Sequence, residues 1–325
     1  MKTLHLLLGF LAITGNCQAE WYSRQFNVMG TVAHVEVSDS SAEHAAATMD
    51  AVEVEMRRID SAMSPFIASS ELSRVNRDAF TQPVMITKEL FDLINMSIRY
   101  SALSDGAFDI TFSSVGFYYD YRKGVKPDAK TISANISNIN YQHLQMDEAI
   151  NSIKFQTQGT RIDLGGIAKG YAIDRCVAIL KSRGIRSAFV NAGGDSYVIG
   201  NRDGRPWFIA IKHPREKSKE LVSLPLAEIA VSTSGDYERY FDDKDGTRYH
   251  HILNPKTGDS ARDSQSVTIL AGDSTTADAL STTVFVMGPE RGLALVNSMK
   301  DISAVIVDKE GKVHYSDDLV MASKK

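Results

Sequence analysis

The chain has 325 residues, of which 43% are hydrophobic and 23% charged, and its formal net charge is −4. This composition is typical of a globular protein of one or two domains and excludes a low-complexity chain. The absence of a basic field argues against nucleic-acid binding. After the N-terminus no stretch is apolar over the roughly 18 residues of a membrane-spanning helix, so none is expected in the mature chain.

The first 19 residues are typical of an export signal. Lys2 supplies the positive charge, residues 6–13 form a short apolar run, and Ala19 is a small residue suited to cleavage. A buried N-terminal helix is one alternative. Cleavage before a lipid-modified Cys17 is another, although Asn16 is a poor residue for the position before such a cysteine. We therefore expect a periplasmic protein without a lipid anchor.

The mature chain is expected to be a single domain over residues 20–325, attached to a membrane only if it is lipidated. Removing the signal takes away Lys2 and no acidic residue, so the net charge becomes more negative. Cys176 is then the one remaining cysteine unless Cys17 is retained by lipidation. An internal disulfide is excluded in the unlipidated form, and we interpret Cys176 as a small core residue.

Hydrophobic periodicity predicts the elements of the first half of the chain. Ser40 and Glu43 have capping-box spacing, which marks the start of a helix. Residues 112–160 are polar and give only weak strand signals. The predicted elements are a strand over 31–37 and helices over 42–62 and 87–103.

In the second half, the Gly165-Gly166 turn leads into a helix that reaches Ser182. A polar, hairpin-like stretch is predicted over 236–249. Helices and strands mix without regular βαβ alternation, which predicts an α+β fold with a mainly antiparallel sheet. The other predicted elements are strands at 187–191, 195–199, 207–212, 226–232, 266–271, 302–308 and 312–315, and helices at 275–287 and 289–299.

The most informative string is Ile-Asp-Leu-Gly-Gly-Ile-Ala-Lys-Gly-Tyr over residues 162–171. A strand ends on Asp163, two glycines turn the chain, and a helix begins. Backbone N–H groups at such a helix start can approach a phosphate closely. Lys169 would suit a diphosphate, although a cation there opposes the helix dipole. An ordinary strand–turn–helix connection is the alternative, since the string is neither a Walker motif nor G-x-G-x-x-G.

A second string, Thr-Thr-Ala-Asp-Ala-Leu-Ser-Thr-Thr, spans residues 275–283. If it is helical, Asp278, Ser281 and Thr282 share one face. A carboxylate with hydroxyl or carbonyl oxygens suits Mg²⁺ that holds phosphate. The alternative is a helix cap rich in serine and threonine.

A third string begins at His250-His251 and continues through Ile252 into an Asn-Pro-Lys-Thr-Gly turn. A histidine with a pKa near neutral can take a proton from an attacking hydroxyl. Two surface histidines on an edge strand are the alternative. Four shorter strings are interpreted either as the lining of a cleft or as ordinary turns and core: Met29–Thr31, Met63–Phe66, Asp105–Asp109 and Asn191–Asp195.

Taken in order, these strings resemble the ApbE family of FAD:protein FMN transferases, over roughly residues 22–318. They are Met-Gly-Thr, Gly-Ala-Phe-Asp, Asp-Leu-Gly-Gly-Ile-Ala-Lys-Gly, Asn-Ala-Gly-Gly-Asp, His-Ile-Leu-Asn-Pro-Lys-Thr-Gly and Thr-Ala-Asp-Ala-Leu-Ser-Thr. The resemblance implies an ApbE-like α+β fold related to the tunnelling fold, with two lobes around a flavin cleft. Many members of the family carry a clear lipobox, which this chain lacks.

The resemblance also implies roles for individual residues. His251, rather than His250, matches the family histidine, and His251 and Asp278 are the candidate catalytic groups. The magnesium ligands would be the backbone carbonyl of Gly166 with Asp278, Ser281 and Thr282. Positions that would contact the flavin nucleotide are Met29, Phe66, Ala107, Phe108, Asp109, Asp163, Lys169 and Ile252.

The activity implied is Mg²⁺-dependent transfer of FMN from FAD to a threonine or serine hydroxyl of an acceptor flavoprotein, with release of AMP. Family acceptors include subunits of sodium-pumping NADH:quinone reductase and Rnf-type complexes, and other extracytoplasmic flavoproteins. Three alternatives stay open: a hydrolase that splits FAD into FMN and AMP, a periplasmic FAD-binding protein, and a redox enzyme that uses FAD itself.

Overall fold

The computed structural model describes residues 19–216 and 218–322. The predicted export signal and Cys17 fall on residues 1–18, outside the described residues, apart from Ala19. Within the described ranges, no helix combines the length and apolar character needed to cross a membrane.

Helices and strands alternate irregularly along the chain. The helices are α1 Ala42–Met63, α2 Glu71–Asp78, α3 Lys88–Leu103, α4 Ser113–Gly116, α5 Ala129–Asn135, α6 Ala168–Ser182, α7 Ser274–Ser298 and α8 Asp317–Ala322. The strands are β1 Glu20–Val28, β2 Thr31–Asp39, β3 Val84–Met85, β4 Leu144–Asp147, β5 Ser152–Phe155, β6 Ala188–Ala192, β7 Asp195–Ile199, β8 Trp207–Lys212, β9 Glu220–Leu226, β10 Ile229–Gly235, β11 Tyr240–Asp242, β12 Arg248–His250, β13 Leu253–Asn254, β14 Asp259–Ser260, β15 Ser264–Ala271, β16 Ser303–Asp308 and β17 Val313–Tyr315.

The main sheet has eight strands in the order β1–β2–β6–β7–β10–β15–β16–β17. Every neighbouring pair in it is antiparallel. The smaller sheets are β3–β5–β4 and the ribbons β8–β9, β11–β12 and β13–β14. This architecture confirms the predicted α+β class with a mainly antiparallel sheet.

The hairpin between β1 and β2 turns on two residues, Met29 and Gly30. Their φ angles are 52° and 70°, the left-handed values of a type I′ turn, which follows the twist of the flanking strands. Glycine adopts this conformation readily, whereas methionine does so rarely. The Met29 amide donates to Asp60 Oδ2 at 3.0 Å, which ties the turn to α1. Met29, which holds the unfavourable conformation, is thus the residue predicted to contact the flavin.

The core lies between the main sheet and the layer formed by α1, α6 and α7. One buried cluster joins apolar side chains of these helices, such as Met56 and Phe285, to inward-facing strand residues such as Val35 and Ile269. The ribbon β8–β9 lies on the opposite face, where Trp207 stacks on Phe189 with ring centroids 5.9 Å apart. The three helices therefore bring the start of α6 and the start of α7 to one end of the same layer.

The predicted boundaries differ from the structure in several places. The N-cap of α1 is Ser41, which accepts from the His44 amide at 3.2 Å, so the predicted cap at Ser40 is wrong by one residue. The predictions omitted β1, α2 and β9. The two helices predicted at 275–287 and 289–299 correspond to the two parts of α7, and the predicted break is confirmed at Gly288, where φ is 77°. Pro289 follows the break and cannot continue the hydrogen-bond ladder.

Gly170 sets how closely α6 approaches α7. A Cβ built on it would lie 2.1 Å from the Ser274 carbonyl oxygen and 2.8 Å from the Asp278 Cβ. We expect Gly170→Ala to force the helices apart and to lower the free energy of unfolding by about 1–3 kcal/mol or more. Urea titration measures this, with Gly272→Ala as the matched control, because a Cβ there meets nothing within 4 Å. Equal stabilities of the two variants would contradict the prediction.

Candidate functional site

The turn at residues 163–167 faces the first turns of α7. A Cβ built on Gly166 would lie 3.2 Å from Thr282 Oγ1 and 3.2 Å from Phe108 Cε2. A larger residue at Gly166 would therefore fill the space between the turn, the helix and the aromatic ring. The two segments that the sequence analysis assigned to one pocket do lie against each other.

Lys169 occupies the centre of this contact. Its Nζ lies 2.6 Å from Asp195 Oδ2 and 3.3 Å from both carboxylate oxygens of Asp278. Asp278 Oδ2 also accepts the Gly170 amide at 2.9 Å, so this carboxylate serves as a cap for α6. The side chains of Asp195 and Asp278 are 2% and 3% exposed. One ammonium thus lies between two buried carboxylates, and the trio carries a net charge of −1 when all three are ionised.

Burial and mutual repulsion govern the ionisation of this trio. Burial raises the pKa of Asp278 to about 7, repulsion from Asp195 adds to the rise, and Lys169 opposes it. Burial alone would lower the pKa of Lys169, but the two carboxylates outweigh it, and the pKa is raised. Lys169 therefore stays protonated at neutral pH, and the pKa of Asp278 is raised because burial and Asp195 outweigh the lysine.

A chain of hydroxyl groups connects the trio to the sheet. Ser232 on β10 donates a hydrogen bond to Asp195 Oδ1. Ser281 Oγ lies 3.0 Å from Ser232 Oγ and 2.9 Å from Ser234 Oγ, and it donates to the Asp278 carbonyl at 3.0 Å. Ser234 Oγ lies 3.4 Å from Thr282 Oγ1. These contacts fix the face of α7 that carries all three predicted side-chain ligands.

The donors gathered here fit a hard divalent cation. They are the carboxylate of Asp278 and the hydroxyls of Ser281 and Thr282, with the Gly166 turn against Thr282. Oxygen donors with few carboxylates are typical of Mg²⁺ that is shared with a phosphate substrate. Among residues 19–216 and 218–322, no cluster of three or more histidine, cysteine or acidic side chains could hold a metal. The magnesium assignment stays a prediction.

The adjacent histidines have different environments. His250 is buried, its Nε2 lies 2.8 Å from the Ala261 carbonyl oxygen, and its Nδ1 accepts the Ile252 amide at 3.3 Å. The hydrogen-bond pattern assigns a neutral ring with the proton on Nε2. Burial lowers the pKa of His250 to about 4. These contacts make His250 a structural histidine, and the choice of His251 for catalysis stays a prediction.

The His251 ring is held neutral by burial and by the positive charges of Arg239 and Lys169. Burial lowers the pKa of His251 to about 3, and the positive charge of Arg239 contributes to the shift. Its Nδ1 is buried and has no hydrogen-bond partner among the described residues. The pKa of His251 therefore lies below the neutral range in the protein without substrate. A bound anion would raise the pKa again, because it stabilises the imidazolium.

The buried neutral His250 makes stability depend on pH. The unfolded state takes up its proton near pH 6.5 and the folded state near pH 4, so stability is lost as the pH falls between these values. We expect a loss of about 3 kcal/mol from this residue. His250→Gln lacks this loss, so its deficit in unfolding free energy relative to the parent protein should shrink between pH 7.5 and 4.5. A deficit that stays constant in urea titrations across this range would contradict the assignment.

The predicted nucleotide contacts are spread over the walls of the pocket and its rim. Phe108 contacts the Gly166 turn, and the carboxylate of Asp163 accepts the Gly165 amide at 2.7 Å. Ala107 and Ile252 are buried. Phe66 is 84% exposed, an unusual position for a phenylalanine that has no partner to cover it. No contact places Phe66 against the Lys169 trio within the described part of the chain.

The carboxylate of Asp109 is bonded to its own surroundings. Its Oδ1 accepts the amide and hydroxyl of Thr111 at 2.8 and 2.6 Å, and its Oδ2 accepts the Tyr141 amide at 2.9 Å. Both oxygens therefore cap a short 3₁₀ helix and hold a loop. The predicted contact of Asp109 with the nucleotide stays a prediction.

The sequence analysis missed four residues of the site: Asp195, Ser232, Ser234 and Arg239. Asp195 was noted only as part of a turn. Ser232 and Ser234 carried a usable signal, because two serines spaced by two residues put hydroxyls on one face of an otherwise apolar strand. Arg239 had no such signal, since its position depends on the fold of the segment between β10 and β11.

Solved structures similar to this chain share nearly its whole length. An ApbE protein from Thermotoga maritima matches with a TM-score of 0.85 and 35% identity, covering 93% of this chain and 99% of that one. A flavin transferase ApbE from Vibrio cholerae matches with a TM-score of 0.82 and 28% identity, again covering 93% and 99%.

Curated relatives give the same result from sequence. An FAD:protein FMN transferase from Vibrio cholerae is 34% identical over 251 residues, which is 75% of this chain and 74% of that protein. One from Klebsiella pneumoniae is 33% identical over 264 residues, covering 78% and 80%. The fold and these relatives define an enzyme of the transferase class.

The ApbE family model matches residues 29–306, which include every predicted site residue. The chain belongs to the ApbE family.

Proposed function

We propose that this enzyme transfers FMN from FAD to a threonine or serine hydroxyl of an acceptor protein, in a reaction that depends on Mg²⁺. The observation that carries the proposal is the contact between the Gly166 turn and the Asp278–Thr282 face of α7. It brings oxygen donors suited to the cation that accompanies a diphosphate against a glycine turn that carries no side chain at Gly166. The amides of Gly165 and Gly170 already donate to Asp163 and Asp278, so the cation carries this part of the argument. Relatives of the family named FAD:protein FMN transferase support the same activity.

The reaction replaces the phosphoanhydride bond of FAD with a phosphoester bond to the acceptor. The acceptor oxygen forms a bond to the phosphorus on the FMN side of FAD, the bond from that phosphorus to the oxygen of AMP breaks, and AMP leaves. Mg²⁺, held by Asp278, Ser281, Thr282 and the Gly166 carbonyl, would neutralise negative charge on the diphosphate.

His251 and Asp278 are the two candidates for accepting the proton of the attacking hydroxyl. Both oxygens of Asp278 already contact Lys169, and one of them also accepts the Gly170 amide. The buried Nδ1 of His251 has no hydrogen-bond partner among the described residues, so its lone pair is unused. A carboxylate that holds Mg²⁺ is a poor base, because the cation stabilises its charged form, so we assign the proton to His251 and the cation to Asp278. Anionic FAD beside the ring would raise its pKa toward the working range.

Intact-mass analysis of an acceptor tests the proposal. The enzyme is incubated with FAD, Mg²⁺ and a peptide or protein that carries a threonine flavinylation motif, and in parallel with EDTA. We expect the acceptor to gain the mass of FMN less one water, with equimolar AMP, and no gain in EDTA. AMP released equally fast without acceptor, with no mass gain, would show a hydrolase. FAD that survives intact would indicate a binding protein. Reversible bleaching of bound flavin by a reductant, coupled to turnover, would indicate a redox enzyme.

The acceptors and the compartment belong to the same proposal. We propose acceptor subunits of respiratory quinone reductases or Rnf-type complexes, or other extracytoplasmic flavoproteins, and export of the enzyme to the periplasm through residues 1–19. Cell fractionation with N-terminal sequencing of the mature protein tests the second part. An N-terminus near residue 20 is expected, whereas a lipid-modified Cys17 or a cytoplasmic full-length chain would contradict it.

A further inference from the structure

The charge balance of the site calls for a cation beyond Lys169. The ammonium of Lys169 is shared by Asp195 and Asp278, and the trio carries a net negative charge. Under the proposed function, a diphosphate with two negative charges must bind beside this trio. Mg²⁺ supplies part of the compensation, but Lys169 has no unshared charge to offer, although the family resemblance assigned it to the diphosphate. A second side-chain cation would complete the balance.

Arg239 lies where such a cation is needed. It belongs to the segment between β10 and β11, and its carbonyl oxygen accepts the His251 amide at 3.1 Å. A Cβ built on Gly30 would lie 3.8 Å from its Nη2, so the guanidinium reaches the Met29-Gly30 turn. Burial raises the pKa of Asp163, and the charges of Arg239 and Lys169 oppose that rise. The guanidinium of Arg239 thus reaches the Met29-Gly30 turn, its backbone holds His251, and its charge acts on Asp163.

The charge of Arg239 is also available for a ligand. The residue is exposed, and no carboxylate lies within ion-pair distance of its guanidinium in the described part of the chain. Its neighbours differ in this respect. Arg215 forms a two-bonded pair with Asp236 at 2.7 and 2.6 Å, and Arg248 pairs with Asp242 at 2.9 Å. Of these three arginines, only Arg239 has no acidic partner among the described residues, and its guanidinium lies beside the Gly30 turn.

We propose that Arg239 binds the diphosphate of FAD and carries part of its negative charge while AMP leaves. This inference rests on the proposed function. A guanidinium offers two parallel N–H groups to phosphate oxygens, a geometry that lysine cannot reproduce. Arg239 is therefore a substrate-binding residue that discriminates flavins with phosphates from flavins without them.

Calorimetric titration of the full-length mature protein with FAD and with riboflavin tests the inference, in EDTA and in Mg²⁺ without acceptor. We expect Arg239→Gln to weaken FAD binding about 10- to 100-fold in both buffers. This is the usual loss of affinity when a hydrogen bond to a charged group is removed. Riboflavin has no phosphate, so its affinity should not change. Arg239→Lys should recover part of the loss. The matched control is Arg183→Gln, at the far end of α6.

Each outcome decides one question. An FAD affinity of Arg239→Gln equal to that of Arg183→Gln, while the parent protein binds and transfers flavin, would overturn the role of Arg239 alone. Equal losses for FAD and riboflavin would overturn it as well, since they would indicate altered packing. A parent protein that neither binds FAD nor modifies an acceptor would overturn the proposed function. In that case inorganic pyrophosphate is the probe, and unchanged binding of it by Arg239→Gln would reject an anion site here.

Discussion

Asp278→Asn is expected to abolish most flavin transfer while leaving the fold at least as stable as before. The amide oxygen can still accept the Gly170 amide, but the carboxylate that would hold Mg²⁺ is gone. Removing an ionic contact of this kind costs about 100- to 1000-fold in rate. Transfer is measured as FMN mass on the acceptor per unit time at saturating Mg²⁺.

The stability of this variant is the second part of the expectation. Burial and Asp195 disfavour the charge on Asp278, so a neutral amide relieves both penalties. The free energy of unfolding in urea at pH 8 should therefore stay level or rise. Asp273→Asn is the matched control, since Asn still caps α7 at this N-terminal position. A variant that loses activity and stability together would indicate a structural role for Asp278 instead.

Lys169→Met is expected to have the largest effect on stability. It leaves Asp195 and Asp278 buried without a cation, which costs about 3–5 kcal/mol when both are ionised. The loss depends on pH in a defined direction. Without the lysine nothing offsets burial, so the folded-state pKa of Asp278 rises further above that of the unfolded chain, and the variant loses stability as the pH rises. Urea titrations at pH 5 and pH 8 should show a larger deficit at pH 8.

Two further variants separate charge from packing. Lys181→Met removes an ion pair to Glu228 from the same helix, but that lysine is 47% exposed and its loss should cost at most about 1 kcal/mol. The double variant Lys169→Met, Asp195→Asn should recover much of the deficit, because one buried charge remains instead of two. A deficit that is independent of pH and unaffected by Asp195→Asn would point to lost packing of the lysine chain.

Local signals in the sequence predicted the helices well. Periodicity with capping residues places α1, α3 and α6 within a residue or two of their observed ends. The cap of α1 was misplaced because Ser40 and Ser41 are both acceptable caps, and only the structure shows which one accepts the His44 amide. Pro289 and Gly288 predicted the break in α7, since neither continues a helix.

Strands were predicted less well, because their stability comes from partners that are distant in sequence. The strand predicted at 226–232 lies across a boundary: β9 ends at Leu226 and β10 begins at Ile229. Between them Glu228 adopts a φ of 49°. A glutamate in the sequence does not predict this left-handed conformation, because glutamate rarely adopts it. β1 contains few of the consecutive apolar residues that mark a buried strand, and it forms because β2 pairs with it.

The residues of the site also divide into those that local sequence predicts and those that only the fold brings together. The Gly165-Gly166 turn and the spacing of Asp278, Ser281 and Thr282 could be predicted, because each is a local pattern. Their contact with Asp195 could not, because it needs β7, β10 and α6 in register. The interpretation of Lys169 changed for the same reason: the sequence shows a cation at a helix start but not the two acids that share it.

The ammonium of Lys169 between two acids has a consequence for how the enzyme is assembled. Metal centres made only of acidic ligands repel one another until an ion arrives, and many such proteins cannot mature without it. Here the polypeptide supplies a counterion of its own in Lys169, so the chain can reach its final shape without a metal ion. Under the proposed function, loading of Mg²⁺ would then be a reversible step that is separate from biogenesis.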